Sequence, residues 1–264
     1  MMTLPTALTI AGTDPTGGAG VPADIKAFSS RDVYGMAVIT SLVAQNTLGV
    51  QDVYNVPIDF IEKELKSVFD DQVPKAMKTG MIAEADMMTL IAKYIREYDI
   101  PYVMDPVMIA TSGDRLMTAA SMDTLINTLI PLADIVTPNL HEAEAITGQK
   151  IENTSDIEHA LKFIVDEMGA KSVIIKGGHL DGDATDYMYD GERITTLSSE
   201  RIDTDQTHGT GCTFSAVLTA ELAKGNTKED AFKTAKAYIT DAIKHAPGIG
   251  QGSGPVNHFS YKGE

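Results

Sequence analysis

The one cysteine of the chain, Cys212, follows the sequence GTG at 209–211 and begins an apolar helical pattern that we expect to end at Gly225. A helix N-terminus offers unpaired N–H groups and the positive end of the helix dipole, which suit a phosphate or a developing oxyanion. The same field is expected to lower the pKa of Cys212, which would make the thiol a base or a nucleophile. A free cysteine that begins a helix is often only a small buried hydrophobe, but the two glycines favour the functional interpretation because they permit close backbone approach.

A second glycine-rich stretch, GTDPTGGAG at 12–20, follows the first apolar run of the chain. It matches neither the dinucleotide-binding fingerprint nor the Walker A sequence, and no GK pair with a following serine or threonine is present. A flexible turn explains this stretch as well as a binding loop does, so it assigns no ligand by itself.

Short apolar runs alternate with helical patterns along the chain. The strand-like runs are ALTIAG, GMAVIT, AMKTGM, YVMDPV, DIVTPN and SVIIKGG. The helical patterns between them include IDFIEKELKSVFDD, DMMTLIAKYIREY, SMDTLINTLIPLA and IEHALKFIVDEMG. This alternation predicts an α/β domain with a mostly parallel sheet covered by helices on both faces. A hairpin with its turn at Asp190 and Gly191 is predicted late in the chain.

Polar residues and glycines stand at the ends of five of these strand-like runs. They are GTD after TIA, GM after MKT, DP after YVM, PN after IVT and KGGH after VII. Ligands of open α/β sheets bind beyond the carboxyl ends of the strands, so we expect these residues to converge on one crevice. Lys176 ends a buried strand, where a lysine is costly unless it is paired. We therefore expect Lys176 to meet a phosphate there.

Composition and charge restrict the classes of function. The chain has 264 residues, of which 43% are hydrophobic and 22% are charged, as is typical of a globular domain. Its formal net charge of −16 argues against binding to nucleic acid or to an anionic membrane, because both need a basic surface. Attraction for a phosphorylated ligand must come from backbone amides, a few lysines and a metal ion.

The sequence also bears on the cellular compartment. One cysteine cannot form an internal disulfide, the N-terminus lacks the basic start of a signal peptide, and no apolar run approaches the roughly 20 residues of a membrane span. These features predict a cytoplasmic protein.

Eight motifs resemble those of the hydroxymethylpyrimidine and phosphomethylpyrimidine kinases of thiamine biosynthesis, which belong to the ribokinase-like superfamily and are close to the pyridoxal kinases. The motifs are ALTIAGTDPTGGAG, VAQNTLGV (43–50), KTGM (78–81), DPVM (105–108), TPNLHEAE (137–144), IIKGGH (174–179), HGTGCTFSA (208–216) and GPVNHF (254–259). They occur in the family's order from about residue 7 onward. The resemblance implies that residues 1–264 form a single ribokinase-like kinase domain with three α/β/α layers around a central, mostly parallel sheet.

The resemblance also implies two ATP-dependent reactions. The hydroxymethyl oxygen of 4-amino-5-hydroxymethyl-2-methylpyrimidine is phosphorylated first, and the monophosphate then accepts a second phosphoryl group. ATP and Mg²⁺ are the implied cofactors, and a homodimer is expected because the family is usually dimeric.

In the family, the GTGC turn is the anion hole, so the resemblance implies that Gly209, Thr210, Gly211 and the Cys212 amide hold the transferring phosphoryl group. Cys212 stands where most ribokinase-like relatives carry an aspartate, and it is expected to be the general base toward the hydroxyl. This role depends on a shifted pKa, since an ordinary thiol is mostly protonated at pH 7.

The pyrimidine-binding residues implied by the resemblance include Asp24 and Gln45, whose carboxylate and amide suit the donors and acceptors of an aminopyrimidine. Gly12 would let the ring lie close to the backbone, while Met81 and Val107 would pack against its faces. Structural roles would also explain three of these residues: Asp24 as an acid in the first turn of a helix, and Met81 and Val107 as ordinary core.

The expected ATP-binding residues are Asn139, Lys176 and Thr207, and the expected magnesium ligands are Asp105 and Glu142. Magnesium takes one or two carboxylates besides waters and phosphate oxygens, so a sparse ligand set is sufficient. An acid that favours the start of a helix is the structural alternative for Glu142.

Two departures from the family bear on the substrate. Thr111 stands where relatives often carry a lysine near the lid, which puts a phosphate contact from that position in doubt. The second cysteine of related pyridoxal kinases is missing, which favours the pyrimidine over pyridoxal. Pyridoxal kinase remains the alternative activity.

Two alternatives of other classes also stay open, a cysteine hydrolase or acyltransferase that uses Cys212 with His208, and a vitamin or nucleotide sensor without turnover. His208 and His179 flank the expected site, and a structural role is expected for both. The other histidines lack metal-ligand spacing, and no zinc site is expected.

Overall fold

The computed structural model describes residues 4–108, 118–177 and 182–263. These residues contain ten strands, which are β1 Thr6–Ala11, β2 Tyr34–Ile39, β3 Ser41–Asn46, β4 Gly49–Asn55, β5 Ala76–Thr79, β6 Tyr102–Met104, β7 Ile135–Val136, β8 Val173–Lys176, β9 Ala184–Tyr189 and β10 Ile194–Ser199. Eight of them form one sheet in the order β10-β9-β8-β7-β6-β5-β1-β2, and β3 pairs with β4 in a separate sheet. The large sheet is parallel from β8 to β2, and β9 runs antiparallel to both of its neighbours.

Helices cover both faces of the large sheet. The α-helices are α1 Gly20–Ser30, α2 Ile58–Phe69, α3 Ala85–Tyr98, α4 Ala119–Thr124, α5 Leu140–Thr147, α6 Thr154–Lys162, α7 Thr210–Ala223 and α8 Lys228–Lys244. One apolar cluster packs α2 to α6 against one face, and a second packs α1, α7 and α8 against the other. The predicted α/β architecture with a mostly parallel sheet between two helical layers is confirmed.

Alternation along the strands explains why both faces are covered. In β5, Met77 belongs to the first cluster and Ala76 to the second, and in β8 Ile175 and Ile174 divide in the same way. Successive side chains of a strand point to opposite faces, so continuously apolar strands need a helical layer on each side.

Two predicted helices change geometry along their length. The pattern SMDTLINTLIPLA begins as α4, continues as a π-helical segment at Leu125–Leu129 and ends in a 3₁₀ turn at Ile130–Leu132. The helix α6 likewise passes into a π-helical segment at Phe163–Glu167. The apolar face predicted for that helix is nevertheless buried, since Ile157 and Ile164 are both 0% exposed.

The structure contains the predicted late hairpin and a second hairpin that the sequence did not reveal. β9 and β10 are joined across Asp190 and Arg193, as predicted. β3 and β4 form the second hairpin, with an irregularity between Ala44 and Gln45. Several of its apolar residues are exposed, among them Tyr54 at 62%. Because the hairpin is not buried between helical layers, its sequence lacks the continuous apolar run that identified the strands of the large sheet.

None of the helices in the described part of the chain combines the length and the apolar composition that crossing a lipid bilayer requires.

Candidate active site

A pocket of about 820 Å³ opens beyond the carboxyl ends of the parallel strands. The expected convergence of strand-end residues therefore occurs. Of the residues singled out in the sequence, the pocket is lined by Gly12, Gln45, Met81, Asp105, Val107, Asn139, Glu142, Lys176, Thr207, Gly209, Thr210, Gly211 and Cys212. Among the implied substrate-, ATP- and magnesium-binding residues, all of which the structure describes, Asp24 is the one that does not line it.

The pocket extends across the sheet, and its two ends have different walls. At the β1 and β5 end, the wall includes Gly12, Met81 and Gln45, the last of which is carried by the separate hairpin. At the other end, the wall includes Ser199 from β10 and Ile243 from α8. The first turn of α7 lies between them, since Gly209 packs against Gly18 of the loop after β1 and Gly211 lies beside Lys176 at the end of β8.

The start of α7 requires glycine at position 209 and leaves little room for a side chain at position 211. Gly209 has a φ of 78°, and a Cβ there would lie 1.8 Å from the carbonyl oxygen of Gly18. A Cβ on Gly211 would lie 3.3 Å from Nζ of Lys176. The turn is therefore packed against the first glycine-rich loop on one side and faces a lysine on the other. The Thr210 amide donates to the carbonyl of Thr207 at 3.2 Å, and the N–H groups of Gly211 and Cys212 in the first helical turn can serve an anion.

The first glycine-rich loop is fixed by the carboxylate of Asp14. Its Oδ1 accepts hydrogen bonds from the amide and the hydroxyl of Thr16 at 2.9 and 2.8 Å. Its Oδ2 accepts from the amides of Gly18 and Ala19 at 3.0 and 2.9 Å. Burial would raise the pKa of Asp14, but these bonds and the contact with His208 lower it to about 2. The stretch is thus an ordered loop, and His208 has the structural role that we expected.

The thiol of Cys212 is half-buried at the wall of the pocket. Burial raises the pKa of Cys212 to about 12, although the positive charge of Lys78 opposes the shift. Asp24 and Asp105 raise the pKa further because a second negative charge nearby disfavours a thiolate. The expectation of a lowered pKa is therefore wrong for the free protein, because the helix N-terminus is visible in the sequence but the burial of the sulfur is not.

Asp24 lies behind the pocket wall with its carboxylate fully engaged. Oδ1 is 2.8 Å from Nζ of Lys78, and Oδ2 accepts a hydrogen bond from the hydroxyl of Thr9 at 2.6 Å. Both charged side chains are 0% exposed. Sequence reasoning did not single out Lys78, although a lysine within the apolar run AMKT was a signal that could have found it.

Asp105 and Lys176 form an ion pair on the floor of the pocket. Nζ of Lys176 lies 3.3 Å from Oδ1 of Asp105. The other carboxylate oxygen of Asp105 is 3.2 Å from the hydroxyl of Ser215 in α7. Lys176 is thus a paired lysine whose side chain retains 16% exposure toward the pocket, where it can contact an anion.

Glu142 and Asn139 form a capping box at the start of α5. The Asn139 side chain accepts from the amide of Glu142 at 2.9 Å, and Glu142 accepts from the amide of Asn139 at 2.8 Å. Burial raises the pKa of Glu142 to about 7; Lys176 opposes this shift and Asp105 reinforces it. Glu142 therefore has the structural role of a helix cap, and its carboxyl also lies near a second carboxylate.

The two carboxyl groups of Asp105 and Glu142 fit a divalent cation that is held mainly by phosphate oxygens. Asp105 raises the cost of ionising Glu142, and a cation between them would relieve that repulsion. Within residues 4–108, 118–177 and 182–263, no cluster of three or more histidine, cysteine or acidic side chains could hold a metal by itself. A metal here would need the phosphates of a bound nucleotide as further ligands.

Two residues named from the sequence, Thr111 and His179, lie outside the described residues.

Comparison with known proteins gives consistent matches. A family model described as phosphomethylpyrimidine kinase matches residues 14–257. A hydroxymethylpyrimidine/phosphomethylpyrimidine kinase of Staphylococcus aureus (strain MSSA476) is 56% identical over 258 residues, which are 97% of this chain and 94% of the relative.

Solved structures agree with this. The ADP complex of a Bacillus subtilis pyridoxal kinase superposes with a TM-score of 0.91 at 41% identity and covers 98% of both chains. A phosphomethylpyrimidine kinase from Clostridium difficile 630 superposes with a TM-score of 0.81, also at 41% identity, over 90% of this chain and 99% of that one. The three-layer fold is therefore the ribokinase-like fold that the motifs implied.

Proposed function

The chain belongs to the phosphomethylpyrimidine kinase family, and from this premise we propose that it transfers phosphoryl groups from ATP to 4-amino-5-hydroxymethyl-2-methylpyrimidine and then to the monophosphate. The diphosphate so formed serves thiamine biosynthesis. The observation that supports this most directly is the start of α7, where a glycine-rich turn and Cys212 lie between two ends of one pocket. The chain is a phosphotransferase.

We propose that Gly209, Thr210, Gly211 and the Cys212 amide form the anion hole for the transferring phosphoryl group. Phosphoryl transfer needs little covalent assistance from a protein, so positioning and charge stabilisation supply most of the rate. Lys176 supports this role because its Nζ lies beside Gly211, where its positive charge can act on an anion bound at the turn. The N-terminus of α7 adds the positive end of its dipole to the same place.

Cys212 is proposed as the base that takes the proton of the substrate hydroxyl. The free thiol is protonated at neutral pH because burial raises its pKa to about 12. The sulfur must therefore give up its own proton before it can accept one, and Lys78 is the cation that favours the thiolate. The second reaction needs less of this assistance, since a phosphate monoester with a pKa near 6 is already largely dianionic at pH 7.

At the β1 end of the pocket, we propose that Gly12, Gln45, Met81 and Val107 bind the pyrimidine. A Cβ on Gly12 would lie 3.4 Å from Sδ of Met81, so a side chain at this position would fill space beside the expected ring. The Gln45 amide can both donate to and accept from an aminopyrimidine. Direct contact of Asp24 with the ring would require its carboxylate to leave Lys78.

At the other end, Asn139, Lys176 and Thr207 are proposed to bind ATP, and Asp105 and Glu142 to hold Mg²⁺ beside its phosphates. A bound Mg²⁺ supplies charge neutralisation to the phosphate oxygens. The chain's own residues would orient the nucleotide, and the Lys176 ammonium, 3.3 Å from Asp105, would contact the phosphates beside that carboxylate.

Pyridoxal kinase is the second candidate activity. It is supported by the pyridoxal kinase structure that superposes with a TM-score of 0.91. The higher identity, 56%, belongs to a hydroxymethylpyrimidine/phosphomethylpyrimidine kinase, and the pyrimidine is therefore the preferred substrate.

Three further proposals concern the whole molecule. We propose that residues 1–264 form a single domain, since the large sheet joins strands from β1 to β10. We propose a cytoplasmic homodimer, and the exposed apolar residues Leu42, Leu48 and Tyr54 of the β3–β4 hairpin support a protein contact. Light scattering after gel filtration would test the dimer.

The experiment that tests the function is mass spectrometry of products after incubation with Mg-ATP and either hydroxymethylpyrimidine or pyridoxal. We expect the pyrimidine monophosphate to appear first and the diphosphate after it. Pyridoxal phosphate without any pyrimidine product would transfer the assignment to the second candidate, and no product from either substrate would refute the kinase proposal.

A further inference from the structure

Lys78 and Asp24 form an ion pair that is closed off behind the pocket wall. Nζ of Lys78 lies 2.8 Å from Oδ1 of Asp24, and both side chains are 0% exposed. Removing two charges from water costs several kcal/mol for each ion, and an apolar pair of similar size often stabilises a protein as well or better. Packing alone therefore gives no reason for a lysine in this strand.

The position of Lys78 in the sheet directs it toward the start of α7. Ala76 on the same strand packs in the layer of α1, α7 and α8, whereas Met77 packs in the opposite layer. Because side chains of a strand alternate between faces, Lys78 shares the α7 face with Ala76. It also stands near the carboxyl end of β5, the edge at which the pocket opens.

Lys78 contacts the residue that carries the thiol. Its Nζ lies 3.4 Å from the carbonyl oxygen of Cys212. The hydroxyl of Ser215 lies 3.0 Å from the same oxygen and 3.2 Å from Oδ2 of Asp105. Lys78 of β5 thus donates to the Cys212 carbonyl in the first turn of α7. The single proton of the Ser215 hydroxyl is shared among that oxygen, the Gly211 carbonyl and Asp105.

The charges around Cys212 give Lys78 a second role. Asp24 and Asp105 disfavour a thiolate, and Lys78 is the principal cation that favours one. Cys212 in turn favours the charged forms of Lys78 and Lys176. If a neutral side chain replaced Lys78 alone, burial and the two acidic neighbours would still disfavour the Cys212 thiolate, and the principal cation that favours it would be lost.

We propose that Lys78, held in place by Asp24, is a positioning residue for phosphoryl transfer, which fixes the first turn of α7 and supplies the positive charge behind Cys212. This inference rests on the proposed kinase function and deepens it. It assigns the Asp24 carboxylate to Lys78 and not to direct contact with the pyrimidine.

The test uses the fact that the chain has one cysteine, so its alkylation reports on Cys212 alone. The double variant D24N/K78M removes both charges together and leaves no unpaired buried ion. The rate of reaction with iodoacetamide at pH 8, without substrate, is compared with that of the wild type. The matched control is R31M/E221Q, which removes another ion pair, 2.7 Å long, whose Glu221 lies near the far end of α7.

We expect D24N/K78M to be alkylated at least about twofold more slowly than the wild type, because Lys78 favours the thiolate more strongly than Asp24 disfavours it. The control is expected to react at the wild-type rate. In D24N/K78M, kcat of the first phosphorylation is expected to fall at least about tenfold. The KM values for ATP and for the pyrimidine are expected to change far less.

Circular dichroism and thermal unfolding confirm that each variant is folded. A folded D24N/K78M with the alkylation rate and the kcat of the wild type would overturn the proposal, because the pair would then be only structural. If D24N/K78M does not fold, D24N/K78Q takes its place under the same criteria. Absence of kinase activity in the wild type would refute the proposed function while leaving the alkylation comparison valid.

Discussion

Nε2 of His208 lies 2.8 Å from Oδ2 of Asp14, and this contact joins the two glycine-rich stretches of the chain. His208 precedes the turn that begins α7, and Asp14 organises the loop that follows β1. The two stretches are 194 residues apart in the sequence. The anion-binding turn is therefore supported by a buried carboxylate from the other end of the chain.

We predict that Asp14→Asn destabilises the protein by about 2 kcal/mol or more and raises KM for ATP. The amide can replace one carboxylate oxygen, but the other is the acceptor for the amides of Gly18 and Ala19. Leaving buried donors without an acceptor costs about 1–3 kcal/mol for each group. Urea unfolding and steady-state kinetics measure the two effects. Asp52→Asn, at an exposed aspartate, is the control, and equal stability of both variants would contradict the prediction.

Gly209→Ala is predicted to abolish most of the kinase activity. Its φ of 78° disfavours alanine by about 1–2 kcal/mol, and the added Cβ would lie 1.8 Å from the Gly18 oxygen. Gly225→Ala is the matched control, since Gly225 has a φ of 88° and a Cβ there would have no atom of the described residues within 4 Å. Thermal unfolding and kcat are measured for both. If the two variants lose the same activity, strain alone explains the effect and the packed turn is not required.

Cys212→Ala is predicted to slow the first phosphorylation by about 100-fold or more, the range of general base catalysis, and the second by much less. The substrate hydroxyl must lose a proton during transfer, whereas the monophosphate is already largely ionised. Single-turnover assays with each substrate measure the two steps separately. Cys212→Ser, which keeps a small polar group at the same place, is the companion variant. Equal losses in both steps would contradict a base role for Cys212.

Acid is predicted to destabilise the protein through His258. Burial lowers the pKa of His258 to about 4 from the ordinary 6.5, and its Nε2 lies 2.9 Å from the hydroxyl of Thr213 in α7. The unfolded chain takes up this proton first as the pH falls, so the free energy of unfolding decreases between pH 6.5 and 4. The loss is roughly 3 kcal/mol from the size of the shift.

The measurement is urea unfolding of wild type and His258→Gln at several values across this range. Glutamine does not titrate, so the difference in unfolding free energy between the two proteins should narrow toward pH 4. A constant difference across the range would show that His258 does not cause the acid sensitivity.

The strands of the large sheet and the polar residues at their carboxyl ends could be predicted from the sequence. A short, continuously apolar run bounded by glycine and polar residues is compatible with few structures other than a buried strand. Lys176 at the end of β8 and Asp105 after β6 were accordingly expected in one crevice, and they form an ion pair there. The charge state of Cys212 was predicted wrongly, since it depends on how much protein surrounds the sulfur. That surrounding is formed by segments distant in sequence, including Lys78 and Asp24.

The roles of Asp14 and Lys78 were missed for a related reason. Asp14 lies in a loop whose composition is that of any flexible turn, and only its backbone donors reveal that it is ordered. In the sequence, Lys78 only interrupts an apolar strand. Its role becomes visible when the fold places Asp24 of α1 beside it. Both roles depend on contacts between residues far apart in the sequence, and local sequence patterns do not predict such contacts.

The β3–β4 hairpin has a consequence for how substrate preference can evolve. It supplies Gln45 to the pocket but pairs outside the eight-stranded sheet. Its tip is held through Thr47, whose hydroxyl accepts from the amides of Gln251 and Gly252. Substitutions of residues that face the pocket from this hairpin are therefore expected to change how the substrate fits, at little cost to the stability of the eight-stranded sheet.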